Sequence, residues 1–212
     1  MSAYSLDEEN RRRYAARSDE WKALQEQAKP KYDYPETVVS REIDTPSYRR
    51  KLDGLGGETK VTRAIWQRSV EMPRHRSGTK FEDLAFIDSR TGKSLAQNSY
   101  HHEREVIPAK AMKQMLLDRK PYSVIAIHNH PSGSVPSYQD LKAAQRWTYK
   151  YGVIVGHNGI VFRYSVKENA NLMFADNLFD NIQKNLYSDD DQQIQDGLKL
   201  LSACGVDLEV FR

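Results

Sequence analysis

The chain has 212 residues, of which 39% are hydrophobic and 29% charged, and its formal net charge is +3. This length can bury one hydrophobic core with a modest extension, and so small a net charge does not by itself indicate a nucleic-acid-binding protein. No apolar run is long enough to span a bilayer, the first ten residues lack the pattern of a secretory signal, and the single cysteine, Cys204, excludes an internal disulfide. These features predict a cytoplasmic protein without a membrane segment.

The amino-terminal third predicts two segments that precede the main domain. Residues 1–36 are highly charged and predict a helical arm, with a helix from Tyr14 to Ala28 that ends before the next proline. Residues 37–72 predict a basic helical lead-in segment, in which one helix begins near Pro46 and a second runs from Thr59 to Glu71.

The basic charge is concentrated around this lead-in segment. Residues 48–80 contain nine Lys or Arg and three acids, whereas residues 166–212 are acidic overall. Such a segment can bind nucleic acid or an acidic partner, but more often it is a solvated face or is matched by acidic residues of the same chain. The sequence shows no zinc-finger, RRM or KH pattern that would favour nucleic acid.

Residues 73–166 predict the main domain, and residues 167–212 predict a C-terminal helical extension that caps the sheet or meets a partner. Within the domain, apolar runs predict strands and amphipathic runs predict helices, and helices placed between strands favour a layered α/β architecture. The predicted strands are 84–87, 95–100, 124–127, 153–155 and 160–164, and the predicted helices are 108–119 and 137–150.

The most informative stretch is residues 128–140, at the end of the third predicted strand. Side chains alternate along a strand, so His128 and His130 project to the same side. A Pro/Gly/Ser turn follows, and then a helix with Ser137 as N-cap and Asp140 in its first turn. Two imidazoles and one carboxylate leave a fourth position of a zinc ion open for water, the usual arrangement of a catalytic site.

Each part of this pattern also has a simpler explanation. Two histidines separated by one residue are common on strands and loops, and Ser137 with Asp140 is by itself more often only a helix cap. Their convergence favours a metal site, because coordination requires it and capping does not. His157, in an Asn-Gly hairpin, could line the cleft but is more simply a turn histidine without a metal role.

The stretch Ile-His-Asn-His-Pro-Ser-Gly-Ser-Val-Pro-Ser-Tyr-Gln-Asp-Leu resembles the metal motif of the JAB/MPN (JAMM) metallohydrolases. It is most similar to the RadC-like branch and to JAB domains encoded by phages and mobile elements. The resemblance implies a three-layer, cytidine-deaminase-like α/β fold with helical N- and C-terminal extensions. It also implies a Zn²⁺ ion held by His128, His130 and Asp140, with Ser137 stabilising an oxyanion. The family pattern has seven residues between the second His and the Ser, whereas this chain has six, which a turn at Gly133 could absorb or which could open the coordination geometry.

The resemblance further implies a glutamate upstream that acts as general base. Glu82 is the first candidate because it opens an apolar strand, and Asp83, Glu103 and Glu105 are the alternatives.

Three functions follow from these observations as hypotheses. The first is a zinc-dependent hydrolase of peptide or isopeptide amide bonds, acting on a protein or peptide substrate. The second is a RadC-like or phage structural or DNA-associated module that keeps the fold and the metal site without protease activity. The third is a zinc-bearing docking platform on which residues 48–80 contact nucleic acid.

Overall fold

The part of the chain whose structure is described comprises residues 33–53, 55, 57–99, 108–188 and 191–212 of a computed structural model. The predicted helix from Tyr14 to Ala28 lies outside these residues, as do Glu103 and Glu105.

A six-stranded sheet forms the centre of the fold. Its strands are β1 (Leu84–Asp88), β2 (Ser94–Asn98), β3 (Val124–His130), β4 (Tyr151–Gly156), β5 (Val161–Val166) and β6 (Val206–Phe211). They lie in the order β2-β1-β3-β4-β5-β6. Only β3 and β4 are parallel, and each of the other neighbouring pairs is antiparallel. All seven residues of β3 are buried, as expected for a central strand covered on both faces.

Six α-helices are found in the described residues, and they cover both faces of the sheet. They are α1 (Pro46–Asp53), α2 (Thr59–Arg76), α3 (Lys110–Leu117), α4 (Tyr138–Arg146), α5 (Ala175–Asn185) and α6 (Asp191–Ala203). Side chains of α1 and α2 share one hydrophobic cluster with one face of the sheet, and side chains of α3 to α6 share a second cluster with the other face. The predicted layered α/β class is therefore confirmed. In the described part of the chain, no helix has both the length and the apolar character needed to cross a membrane.

Both flanking segments are part of the folded core. Tyr48 and Leu52 of α1 are fully buried in the cluster beneath β3, so the lead-in segment supplies part of the core. The C-terminal segment adds α5, α6 and also β6, which pairs with β5 along its whole length. The expectation of helices alone in this segment is therefore wrong, because Val-Asp-Leu-Glu-Val alternates apolar and acidic residues with the period of a strand.

Helix α2 continues beyond its predicted end at Glu71, through Pro73, to Arg76. Proline has no N–H, so Pro73 cannot donate the helical hydrogen bond to the carbonyl of Ser69. The hydroxyl of Tyr48, which is fully buried, donates to that carbonyl at 3.2 Å. Burial also raises the pKa of Tyr48, so its hydroxyl stays protonated as a donor. A residue of α1 thus replaces the missing helical donor of α2.

This replacement predicts that Tyr48→Phe and Pro73→Ala are coupled. Tyr48→Phe should lower the free energy of unfolding by about 1 to 3 kcal/mol, because the Ser69 carbonyl loses its donor inside the core. In a Pro73→Ala background the new backbone N–H can donate to Ser69, so the same change should cost less. Denaturant unfolding of the four proteins measures both costs, and equal costs in the two backgrounds would contradict this role of Tyr48.

Candidate metal centre

The two histidines of the motif lie at the carboxyl end of β3, on one face of the sheet. Val124 and Ala126 of the same strand belong to the cluster covered by α3 to α6, and His128 and His130 continue that side. Asn129, between them, projects to the opposite face, the side of Ile127. His128 is 3% and His130 is 6% exposed, so both rings are removed from bulk water.

The donor atoms of three predicted ligands converge. The Nε2 atoms of His128 and His130 are 3.0 Å apart. Asp140 places Oδ1 at 3.2 Å from Nε2 of His128 and Oδ2 at 3.6 Å from Nε2 of His130. Ligands bound tetrahedrally at zinc distances are separated by about 3.3 Å. The spacing therefore suits a shared cation, and the six-residue loop does not splay the donors apart.

The loop after β3 reaches α4 through a tight turn at Gly133. The backbone N–H of Gly133 donates to the carbonyl of His130 at 2.9 Å, and its φ of +67° lies in the region that favours glycine. A Cβ atom at this position would also lie 2.3 Å from the side chain of Asn158. Farther along, the N–H of Val135 donates to Oε1 of Gln183 on α5 at 2.7 Å. The turn and the C-terminal segment thus fix the path of the loop.

Ser137 and Asp140 form the predicted capping box at the start of α4. The Ser137 hydroxyl donates to Oδ2 of Asp140 at 2.6 Å, and its backbone N–H donates to the same oxygen at 2.7 Å. The carboxylate is therefore held toward the imidazoles by the cap itself. The Ser137 hydroxyl has one hydrogen, so it would have to leave Asp140 before it could donate to an oxyanion.

The environment of Asp140 favours its ionised form. Burial alone would raise its pKa, but the charge and hydrogen bond of His128 lower it. The charge of His130 and the hydrogen bond from Ser137 act in the same direction, and the pKa of Asp140 is held well below its usual range. An ionised carboxylate is the form that binds a metal.

The ring of His130 is oriented by the loop. Its Nδ1 lies 3.0 Å from the carbonyl oxygen of Ser134 and 3.0 Å from the Ser134 hydroxyl. An Nδ1–H that donates to the carbonyl leaves the lone pair on Nε2, the atom that faces the cluster. Such an outer hydrogen bond is usual for histidines that bind metals.

Glu82 lies in the same cluster. Leu84 of β1 pairs with His128, and the two strands are antiparallel. Glu82, two residues before Leu84, therefore comes beside His130, two residues after His128. Glu82 is 8% exposed, and a ligand atom of Glu82 and one of each histidine all lie within 4.8 Å of one another. The buried group of Glu82, His128 and His130 can hold a metal ion. Either Glu82 or Asp140 can therefore supply the carboxylate of a two-histidine site.

Asp83, one of the alternatives for the general base, has a different environment. It projects to the opposite face of β1 from Glu82, and it is 1% exposed. Its Oδ1 accepts from Nε of the buried Arg76 at 2.6 Å, and its Oδ2 lies 2.6 Å from Nδ1 of His75. Asp83 thus anchors the segment before β1 to the end of α2.

Asn129 is a residue that the sequence analysis missed. Its Oδ1 accepts from the backbone N–H of Asp83 at 2.7 Å, and its Nδ2 donates to the carbonyl of Phe81 at 3.3 Å. One side-chain amide therefore holds both neighbours of Glu82. The available signal was its position between two histidines on a buried strand, where an inward amide needs partners.

His157 completes this bracing network and is not part of the metal cluster. Burial lowers its pKa, which favours the neutral ring. Its Nδ1–H can then donate to the carbonyl of Thr37 at 2.6 Å, and its Nε2 can accept from Asn129 at 3.1 Å. The structure gives this buried turn histidine a structural role and no place in the cluster.

A cleft of about 1240 Å³ lies over the cluster. Its wall includes Tyr149 and Tyr164, which are 3% and 2% exposed. Neither hydroxyl has a hydrogen-bond partner among the residues that the structure describes. The cleft is large enough for several residues of an extended peptide beside the two histidines.

The basic segment, residues 48–80, is partly matched within the chain. Its ion pairs join Arg68 to Glu71, Arg74 to Asp44 and Arg76 to Asp83. Among the ion pairs of the described residues, none joins this segment to the acidic C-terminal region. Binding of nucleic acid or an acidic partner by this segment stays a prediction.

Comparison of the chain with protein-family models, with curated proteins and with solved structures gave no match.

The bracing role of Asn129 predicts that its removal destabilises the fold. Asn129→Ala should lower the free energy of unfolding by about 1 to 3 kcal/mol, because the buried N–H of Asp83 and carbonyl of Phe81 lose their partners. Asn177 is exposed on α5, and Asn177→Ala should change the free energy of unfolding by less than about 0.5 kcal/mol. Urea unfolding measures both, and equal effects would argue against the bracing role.

Proposed function

We propose that this chain is a zinc-dependent hydrolase of peptide or isopeptide amide bonds, similar to the JAB/MPN metallopeptidases. The supporting observation is the convergence of two buried imidazoles and two carboxylates at the base of a cleft. A second carboxylate beside a two-histidine, one-carboxylate set offers a general base in addition to the ligands. Such a combination is what water-activating zinc sites require.

Zinc suits this donor set better than calcium or magnesium. Imidazole nitrogens together with one carboxylate favour zinc, whereas calcium and magnesium prefer sites made of oxygens alone. When bound, the ion would polarise the substrate carbonyl and lower the pKa of a water molecule.

The side chains of the site divide into ligands and a base. We assign His128, His130 and Asp140 as ligands, because Asp140 lies at ligand spacing from both rings and is held there by Ser137. Glu82 remains as the general base. It takes a proton from the attacking water and delivers it to the leaving amine, which lets one carboxylate serve both halves of the reaction.

Zinc content tests the ligand assignment. The full chain should bind about one zinc per molecule, and His128→Ala should lose it. His75 is an exposed histidine outside the cluster, so His75→Ala should keep zinc at the level of the unaltered chain and serves as the matched control. Metal analysis of the purified proteins gives the answer, and zinc retained by His128→Ala would reject the assignment.

Turnover tests the role of Glu82. Against a library of peptides and isopeptide-linked peptides, Glu82→Gln should reduce the rate by about 10² to 10⁴ while zinc content is unchanged. Glu36 also lines the cleft, and Glu36→Gln should retain most of the activity. Equal turnover of Glu82→Gln and the unaltered chain would remove Glu82 as base. Absence of turnover in the zinc-loaded chain would favour the non-enzymatic RadC-like or phage module.

A further inference from the structure

Basic side chains line the cleft over the candidate metal centre. They are Lys80, Lys113, Lys142 and Arg146. Apart from the two cluster carboxylates, the acidic side chain of the lining is Glu36. If a divalent cation neutralises the two cluster carboxylates, the cleft that remains is strongly positive.

These cations are not neutralised within the described part of the chain, where no carboxylate forms an ion pair with any of them. Three of them lie over aromatic rings instead. Nζ of Lys142 lies 5.4 Å from the ring centre of Tyr138, the guanidinium of Arg146 lies 5.1 Å from that of Trp147, and Nζ of Lys80 lies 4.0 Å from that of Tyr34. A cation–aromatic contact orients a charge without cancelling it. The cations thus remain able to attract an anionic ligand.

The position of two cations relative to the centre is set by α4. Lys142 and Arg146 are four residues apart and so share one side of α4, which is a different side from that of Asp140 in the first turn. With a rise of 1.5 Å per residue, they lie about 3 and 9 Å along the helix axis from Asp140. An extended peptide advances about 3.3 Å per residue. An acidic side chain a few residues from the scissile bond would therefore come near these cations where they line the cleft.

The two tyrosines of the cleft wall add hydrogen-bond donors. Burial raises the pKa of Tyr149 and, together with the charge of Asp140, that of Tyr164, so both hydroxyls stay protonated. A buried tyrosine hydroxyl usually has a partner. An oxygen-rich ligand in the cleft would supply acceptors for both.

We propose that the cleft selects peptide segments that carry aspartate or glutamate within a few residues of the bond to be cleaved, with Lys142 and Arg146 as the main recognition residues. This inference rests on the proposed hydrolase function and specifies its substrate class. A nucleic acid carries one negative charge per nucleotide, so some of its phosphates would lie near the carboxylate of Glu36 and be repelled by it. A peptide carries negative charge only at its acidic side chains, which can lie at the cations alone.

A binding selection tests the proposal without turnover. The zinc-loaded, full-chain Glu82→Gln protein is immobilised and offered a random dodecapeptide library, and the retained peptides are sequenced by mass spectrometry at low and high salt. We expect aspartate and glutamate to be enriched about tenfold over lysine and arginine, and the enrichment to fall with salt.

Matched charge reversals locate the recognition. Lys142→Glu/Arg146→Glu should abolish the acidic enrichment. Lys167→Glu/Lys199→Glu, which changes the net charge equally at exposed positions outside the cleft, should leave it intact. Circular dichroism checks that both variants fold, which is expected because all four side chains are exposed.

The outcomes separate this proposal from the proposed function. No retained peptide, no acidic preference, or an unchanged preference in Lys142→Glu/Arg146→Glu would overturn it. A single-stranded oligonucleotide that displaces the acidic peptides at lower concentration would assign the cleft to nucleic acid and would also overturn it. Acidic selection without cleavage by the zinc-loaded unaltered chain would reject the hydrolase alone, and cleavage without acidic preference would reject the substrate class alone.

Discussion

The site depends on the alternation of side chains along two paired strands, β1 and β3. Because successive residues face opposite sides of a sheet, His128 and His130 share one face and Asn129 takes the other. The same rule separates Glu82 from Asp83 in the extended segment just before β1. A shift of β1 by one residue along β3 would turn the side chains of β1 to the other face and place Asp83, in place of Glu82, beside the histidines. The register of Leu84 with His128 is therefore the constraint on which the cluster rests.

The face away from the cleft holds that register in place. The buried pair of Arg76 and Asp83 and the amide of Asn129 fasten the segment before β1 to α2 and β3. Burying an ion pair contributes little net stability, but removing one partner leaves an unpaired charge in the core and costs about 3 to 5 kcal/mol. The arrangement that these polar groups hold places Glu82 beside the histidines.

Much of the site could be predicted from local patterns, but the contacts between distant segments that hold it in place could not. The apolar run ending in His-Asn-His predicted a buried strand with two histidines on one side, and Ser137 with Asp140 predicted a capped helix start, because both patterns depend on nearest neighbours along the chain. The partners of Asn129 and the replacement of the Pro73 donor by Tyr48 are contacts between distant segments, which periodicity does not encode. Strand β6 was missed for another reason. Its alternating residues follow a helical stretch, and it pairs only with β5, which offers a free edge only once the rest of the sheet has assembled.

The difference between the two carboxylates follows from how each is held. Asp140 stands in the first turn of α4, where the backbone N–H and hydroxyl of Ser137 both donate to one of its oxygens and fix its direction. A carboxylate so restrained makes a good ligand, because little conformational freedom is lost when the metal binds. Glu82 reaches the cluster from the strand on the other side and has a longer side chain with one more rotatable bond. A group that collects a proton from water and delivers it to an amine has to approach two positions, and the longer side chain of Glu82 is suited to that movement.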